Sequence, residues 1–245
     1  MQVLVAPDKF KGTADASQVA AALASACTDL GHEATQLPLA DGGEGTLAAL
    51  GGPNRTTVVS DPRGDPVEAP WRLERRTAVI EMARASGLTL VGGAEQNDPV
   101  DASTFGTGEL IAAAADAGAT RILVGVGGSA TTDGGLGALR AMYPLQRYRG
   151  IELVVACDVR TRFVDAAEGF APQKGASPAQ VELLRRRLEA LVGTYQDDYG
   201  VDVTELEGAG AAGGLAGGLA AAGAGAGAGL APVAAEGGLF GGPGR

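Results

Sequence analysis

The chain has 245 residues, 45% hydrophobic and 20% charged, enough for one large domain or two small lobes, and this excludes a wholly disordered chain. A formal charge of −10 gives nucleic-acid or anionic-membrane binding no global electrostatic support, so any anion must be held locally. The single histidine, His32, removes Ser-His-Asp and Cys-His triads and the commoner zinc sites; Cys27 and Cys157 are too few for a disulfide scaffold. No apolar run reaches the length of a membrane span, and Met1-Gln2 lead straight into a strand-like run, so a soluble, cytoplasmic protein is expected.

Short β-branched runs alternate with Ala/Leu-rich stretches, which predicts an α/β protein with largely parallel sheets. Val3 to Ala6 reads as a strand, Pro7 to Thr13 as a loop, and Asp15 to Leu30 as a helix with Val19, Ala22, Leu23 and Ala26 on one face. Thr35 to Ala40 predicts a second strand, followed by the acidic loop Asp41-Gly42-Gly43-Glu44-Gly45 and a short helix, Thr46 to Leu50. Thr56 to Met82 is hairpin-like, with Asp61-Pro62-Arg63-Gly64 as a turn and a lobe boundary near residue 55. Helices follow at Thr107 to Ala117 and Asp133 to Met142, and strands at Arg121 to Val126 and Ile151 to Ala156. Ser177-Pro178-Ala179-Gln180 opens a further helix, with Ser as N-cap, Pro at N1 and Gln at N3, burying Val181, Leu184, Leu188 and Leu191. Residues 220–245, dominated by Gly and Ala, read as a flexible tail, because glycine is entropically costly to order.

Val124 to Gly135, VGVGGSATTDGG, is a strand, a loop of small residues and a helix start. Gly125, Gly127 and Gly128 let backbone amides converge, and Ser129, Thr131 and Thr132 add hydroxyl donors, so phosphate is the natural ligand and a plain tight turn the alternative. Gly125 to Ala130 also satisfies G-x-G-x-x-A, the dinucleotide pattern, which leaves an oxidoreductase as a second reading. Lys9, Lys11 and Lys174 are the three lysines in a chain that otherwise uses arginine, and each falls in a loop, where a compact positive charge suits a transferring phosphoryl group. Carboxylates fall where strands should end, at Asp8, Asp41 with Glu44, and Asp158, while Asp133 opens a helix and reads equally as a cap. Acids beside a phosphate loop suit phosphoryl transfer, which needs carboxylates to hold Mg²⁺ and to accept a hydroxyl proton. Ser103 to Gly108 offers a helix start with hydroxyls, and Phe170 to Gly175 a loop with one amide and one cation.

Together these motifs resemble the bacterial glycerate kinase family. The matching blocks are APDKFKG (6–12), PLADGGEGT (38–46), VIEMARASGL (79–88), TFGTGELI (104–111), GVGGSATTDGGLG (125–137), VACDV (155–159), APQKGAS (171–177) and GAGAAGGL (208–215). The resemblance implies two α/β lobes with a cleft between them: a first lobe over 1–55, a second over 56–219, and the tail over 220–245. It implies an ATP- and Mg²⁺-dependent kinase converting D-glycerate to phosphoglycerate, 2-phosphoglycerate as the expected product; no nucleic-acid or membrane partner is expected, and the sequence leaves the oligomeric state open, a homodimer being one candidate. Asp8, Lys11, Asp41 and Asp158 are the expected catalytic residues. Lys9, Gly42, Gly43, Glu44, Thr107, Gly127, Gly128, Ser129, Thr131, Gln173 and Lys174 are expected to bind substrate and phosphate, and Asp133 with Asp158 to hold the metal. Relative to the family, the stretch between Met142 and Ile151 is short, Arg160 to Val164 replaces an Asn-Pro-Leu-like continuation, and the Gly/Ala tail stands where a Thr-Gly-Glu-Gly-Arg-type segment completes the first lobe. On that pattern the chain reads as truncated, with an incomplete first lobe and weak activity; an inactive kinase remnant is the alternative.

Overall fold

The computed structural model describes residues 1–8, 10, 13–39, 42–226 and 230–233, without the side chains of 224–226 and 230–233. Strand β1 (Gln2–Val5) and strand β2 (Glu33–Gln36) form a parallel pair joined by helix α1 (Ala16–Asp29). Asp15 caps α1 in a capping box with Gln18, each side chain bonding the other's backbone N–H at 2.8–3.0 Å. The buried face of α1 is Ala16, Ala20 and Ala24, not the predicted Val19–Ala26 stripe; Leu23 is 48% exposed. A two-stranded sheet offers a narrow surface, and the small alanine face lets the helix lie close to it. Strand β2 also starts and stops earlier than predicted, and residues 37–39 continue alongside β1's end through Leu37 N–H to Val5 O and Leu39 N–H to Pro7 O.

The second sheet has six strands in sequence order: β3 (Arg55–Ser60), β4 (Pro66–Glu74), β5 (Thr77–Glu81), β6 (Arg121–Gly125), β7 (Glu152–Ala156) and β8 (Leu230–Val233). Strands β3 to β5 are antiparallel, the first connection made by the predicted turn at Asp61–Gly64; β5 to β8 are parallel. The register aligns Glu81 with Gly125 and Gly125 with Ala156, so the carboxyl ends of β5, β6 and β7 form one row. Helices α2 (Thr46–Ala49), α3 (Ala83–Ser86), α4 (Phe105–Asp116), α5 (Leu136–Met142), α6 (Ala166–Phe170), α7 (Pro178–Tyr199) and α8 (Leu215–Ala226) complete the chain. Ser177 and Gln180 form the predicted capping box of α7, and Leu184 and Leu188 are buried.

The predicted flexible tail needs correction where it is described. Residues 220–226 continue α8, with Ala220, Ala221 and Ala222 buried, and 230–233 extend the sheet parallel to β7; 227–229 and 234–245 lie outside the described residues. Alanine has the highest helix propensity, and in the turn of α8 that leads into this stretch glycine serves close packing. A Cβ at Gly217 would lie 2.4 Å from Phe163, and one at Gly218 would lie 2.5 Å from the Gly134 carbonyl. Edge placement tolerates Pro232, whose nitrogen cannot donate to a neighbouring strand. Among the described residues no helix is long and apolar enough to cross a membrane.

A strand-end cleft as candidate active site

A cleft of about 900 Å³ opens at the carboxyl ends of β1, β5, β6 and β7, where parallel α/β sheets place their ligands. Its floor is two glycine loops laid backbone on backbone. Gly42, at φ +85°, sits where a Cβ would approach the Ala156 carbonyl oxygen to 2.2 Å; a Cβ on Gly127 would lie 2.5 Å from the Gly43 Cα. The Gly127 N–H donates to the Gly42 carbonyl at 3.1 Å. The acidic loop after β2 thus crosses the row of strand ends, and the glycines permit that contact.

This geometry narrows the predicted phosphate cradle. Within the glycine loop the amide of Gly127 is taken by Gly42, whereas those of Gly128 and Ser129 have no acceptor among the described residues, and both residues line the cleft. The same cover argues against the dinucleotide reading: a Cβ at Gly125 would meet the Gly42 carbonyl at 2.5 Å, so the first two glycines of G-x-G-x-x-A face the acidic loop and leave no room for a pyrophosphate. The loop is braced from the other side, since Leu88 N–H donates to Gly128 O and Ala130 N–H to Ser86 O, both at 3.0 Å.

Lys174 sits in a 3₁₀ turn, Pro172–Lys174, and is 3% exposed. Its Nζ donates to the Thr131 carbonyl at 2.6 Å, and the Asn97 side-chain amide ties Ala130 O to Lys174 O at 3.0 and 2.9 Å. Burial pushes its pKa down to about 7, an effect that the nearby Asp133 carboxylate partly opposes. The lysine lines the cleft with its proton held less tightly than an ordinary lysine's, and an anion entering beside it would favour the charged form.

Asp8, Glu44, Asp158 and Gln173 also line the cleft, as do Gly43 and Asp15. Cys157 lies beside them, its thiol pKa raised by burial, which disfavours the nucleophilic thiolate. Other predicted site residues lie elsewhere. Asp133 is absent from the lining and its carboxylate is spent on structure: Oδ1 accepts Gly135 N–H at 3.0 Å, and Oδ2 accepts Thr104 N–H, Thr104 Oγ1–H and Gly137 N–H at 2.8–3.2 Å. It joins the start of α5 to the start of α4, a role that commits both carboxylate oxygens to backbone and hydroxyl donors. Helix α5 accordingly starts at Leu136, three residues later than predicted. Thr107 is wholly buried in α4, its hydroxyl 2.8 Å from Ser86 Oγ, and Thr131 contributes its carbonyl to Lys174 while its own hydroxyl is buried without a partner. Gly42 works from beneath the lining. Lys9, Lys11 and Asp41 lie outside the described residues.

Two residues in the cleft region escape the sequence reading. Glu81, 1% exposed, accepts the N–H groups of Gly45 and Leu47 on Oε1 at 3.0 and 2.7 Å, fixing the acidic loop's exit into α2. Its Oε2 accepts Arg84 Nε–H at 3.0 Å, and Arg84 lines the cleft. The available signal was an ionisable residue closing the apolar strand Ala78-Val79-Ile80, a position that buries a charge and demands partners.

A family model described as "Glycerate kinase family" matches residues 3–143 and 144–239, the pieces meeting in the short connection between α5 and β7. The glycerate 2-kinase of Escherichia coli K12 is 38% identical, covering 87% of this chain and 66% of its own length. The glycerate kinase of Bacillus subtilis 168 is 37% identical with the same coverage of both chains, so the present chain spans a little under two thirds of these relatives. A crystal structure from Salmonella typhimurium LT2, provisionally named glycerate kinase 2, superposes with a TM-score of 0.81 at 36% identity, covering 94% of this chain and 71% of that one.

Proposed function

The chain belongs to the glycerate kinase family, and from that premise we propose that it transfers the γ-phosphoryl group of ATP to D-glycerate, yielding 2-phosphoglycerate and ADP. The observation that carries this reading is one strand-end cleft that joins the two unpaired amides of Gly128 and Ser129, the buried Lys174 and the rim carboxylates Asp8, Glu44 and Asp158. The amides and lysine suit phosphate oxygens, as fixed donors in a site already organised before the ligand arrives. In the transfer, the bond from the glycerate 2-hydroxyl oxygen to the γ-phosphorus forms as the bond to the β,γ-bridging oxygen breaks, and a rim carboxylate accepts the hydroxyl proton. Lys11 and Asp41, which flank the described rim in sequence, complete the proposed catalytic set with Asp8 and Asp158, and Lys9 and Gln173 the proposed substrate-binding set.

The donor set also bears on Mg²⁺. Among the described residues no three His, Cys, Asp or Glu side chains gather as a metal cage. Magnesium in kinases is ordinarily held by one or two carboxylates plus the phosphates it arrives with, and Asp158, exposed at the carboxyl end of β7, fits that part. There the ion supplies charge neutralisation on the phosphoryl oxygens. The unpaired cysteines Cys27 and Cys157 agree with a cytosolic setting. The test is a coupled ADP-release assay with D-glycerate, with the product assigned by phosphorus NMR. ADP release dependent on D-glycerate and a 2-phosphoglycerate signal are the expected results; no glycerate-dependent release refutes the proposal, and a 3-phosphoglycerate signal refutes the position of transfer.

A further inference from the structure

Resting on that reading of the cleft, we infer that Arg84 is the residue that receives the carboxylate of the acceptor and so restricts the enzyme to hydroxy acids over neutral polyols. Arg84 lies in the first turn after β5, and its side chain is 45% exposed into a cleft whose rim is acidic, with Asp8, Asp15, Glu44 and Asp158. An acid substrate entering such a rim needs a local cation. Among the described residues the cleft offers two, Lys174 and Arg84. Lys174 is buried against the Thr131 carbonyl at the glycine loop, which suits it to phosphate. Arg84 is instead anchored by one nitrogen only. Nε bonds Glu81 Oε2 at 3.0 Å, while Nη1 and Nη2 have no hydrogen-bond partner among the described residues.

Glu81 makes that anchor rigid, because its other oxygen is held by the Gly45 and Leu47 amides and its side chain is 2% exposed. The guanidinium therefore keeps the N–H groups of Nη1 and Nη2 unbonded among the described residues, a fork that matches the two oxygens of a carboxylate. Its neighbour Ala83 has its Cβ 3.4 Å from the position a Cβ would take on Gly128, and Gly87 pairs with Ser129, so α3 holds Arg84 directly beside the loop proposed to carry the phosphates. An acid bound at Arg84 thus lies next to the phosphoryl donor. Glu81 is a positioning residue in this scheme and touches no substrate.

The experiment compares wild type with Arg84→Ala, Arg84→Lys and Glu81→Gln, using D-glycerate and its neutral analogue glycerol. Arg84→Ala is expected to raise KM for D-glycerate by about 10–100-fold, as expected for loss of a charge-assisted pair. KM for ATP should stay within about twofold and any turnover of glycerol should be unchanged, since neither meets the fork in this scheme. Arg84→Lys should recover only part of the loss, and Glu81→Gln should raise KM for D-glycerate more than it lowers kcat. Calorimetric titration of D-glycerate without nucleotide reads the inference even if the chain does not turn over: wild type should bind it and Arg84→Ala should not. An unchanged KM or affinity for D-glycerate, a shift confined to ATP, or equal losses for glycerol and D-glycerate would overturn the assignment.

Discussion

Replacing Lys174 with methionine should make the protein more stable at pH 7 while weakening its hold on ATP. Burial lowers the lysine's pKa from 10.5 to about 7, so keeping it in place at neutral pH or below costs about 5 kcal/mol, at 1.36 kcal/mol for each unit of pKa. Methionine of similar length removes that cost but leaves the Thr131 carbonyl without its donor, which returns about 1–3 kcal/mol. The net expectation is a gain of about 2–4 kcal/mol at pH 7. The sign with pH follows from linkage. Between pH 7 and 10.5 the unfolded chain keeps its lysine proton while the folded chain loses it, so the wild type gains stability as pH rises through this window. Cys157, Tyr148 and Tyr195, whose pKa values burial raises, pull the other way, but they are common to both proteins and cancel in the difference. Urea unfolding of both proteins at several pH values is the assay. The variant's advantage should be fully present at pH 7 and below and vanish or reverse near pH 10.5; parallel pH profiles, or a less stable variant at pH 7, would refute the assignment of a buried, deprotonation-prone lysine.

Nucleotide phosphate should restore that proton, so ATP binding at pH 8 should take up a proton in wild type and not in Lys174→Met, measured by calorimetry in buffers of different ionisation enthalpy. Gly42→Ala meets both a positive φ and a carbonyl at 2.2 Å, and should cost at least about 2–3 kcal/mol in denaturant unfolding and abolish ADP release with the cleft floor displaced. Asp158→Asn should lower kcat by about 10²–10³, as should Lys11→Ala and Asp41→Asn, if each carries the proposed electrostatic role in the transfer. Asp133→Asn, by contrast, should lower stability, by about 1–3 kcal/mol, before it lowers the metal requirement, because its carboxylate is committed to four hydrogen bonds.

The local grammar of the chain was legible without tertiary information. Asp15 with Gln18 and Ser177 with Gln180 announce helix starts because a side chain reaches a backbone N–H three residues away, and the turn at Asp61–Gly64 closes by contacts equally short in range. The placing of Asp8 after β1 and Asp158 after β7 likewise follows from the alternation of strands and helices. What the sequence could not decide is which groups face which across the fold. The amide of Gly127 is taken by Gly42, the carboxylate of Asp133 by Thr104, and Arg84 is aimed by Glu81 only once the ends of β5, β6 and β7 are set in register and the acidic loop is laid across them. A glycine reads the same in sequence whether it frees an amide for phosphate or clears room for another backbone. The Gly/Ala stretch from residue 220 reads as loose because its small side chains give no hydrophobic signal, yet Ala220, Ala221 and Ala222 are buried once α8, through Gly217 and Gly218 just before them, packs closely on Phe163, Gly134 and Gly135.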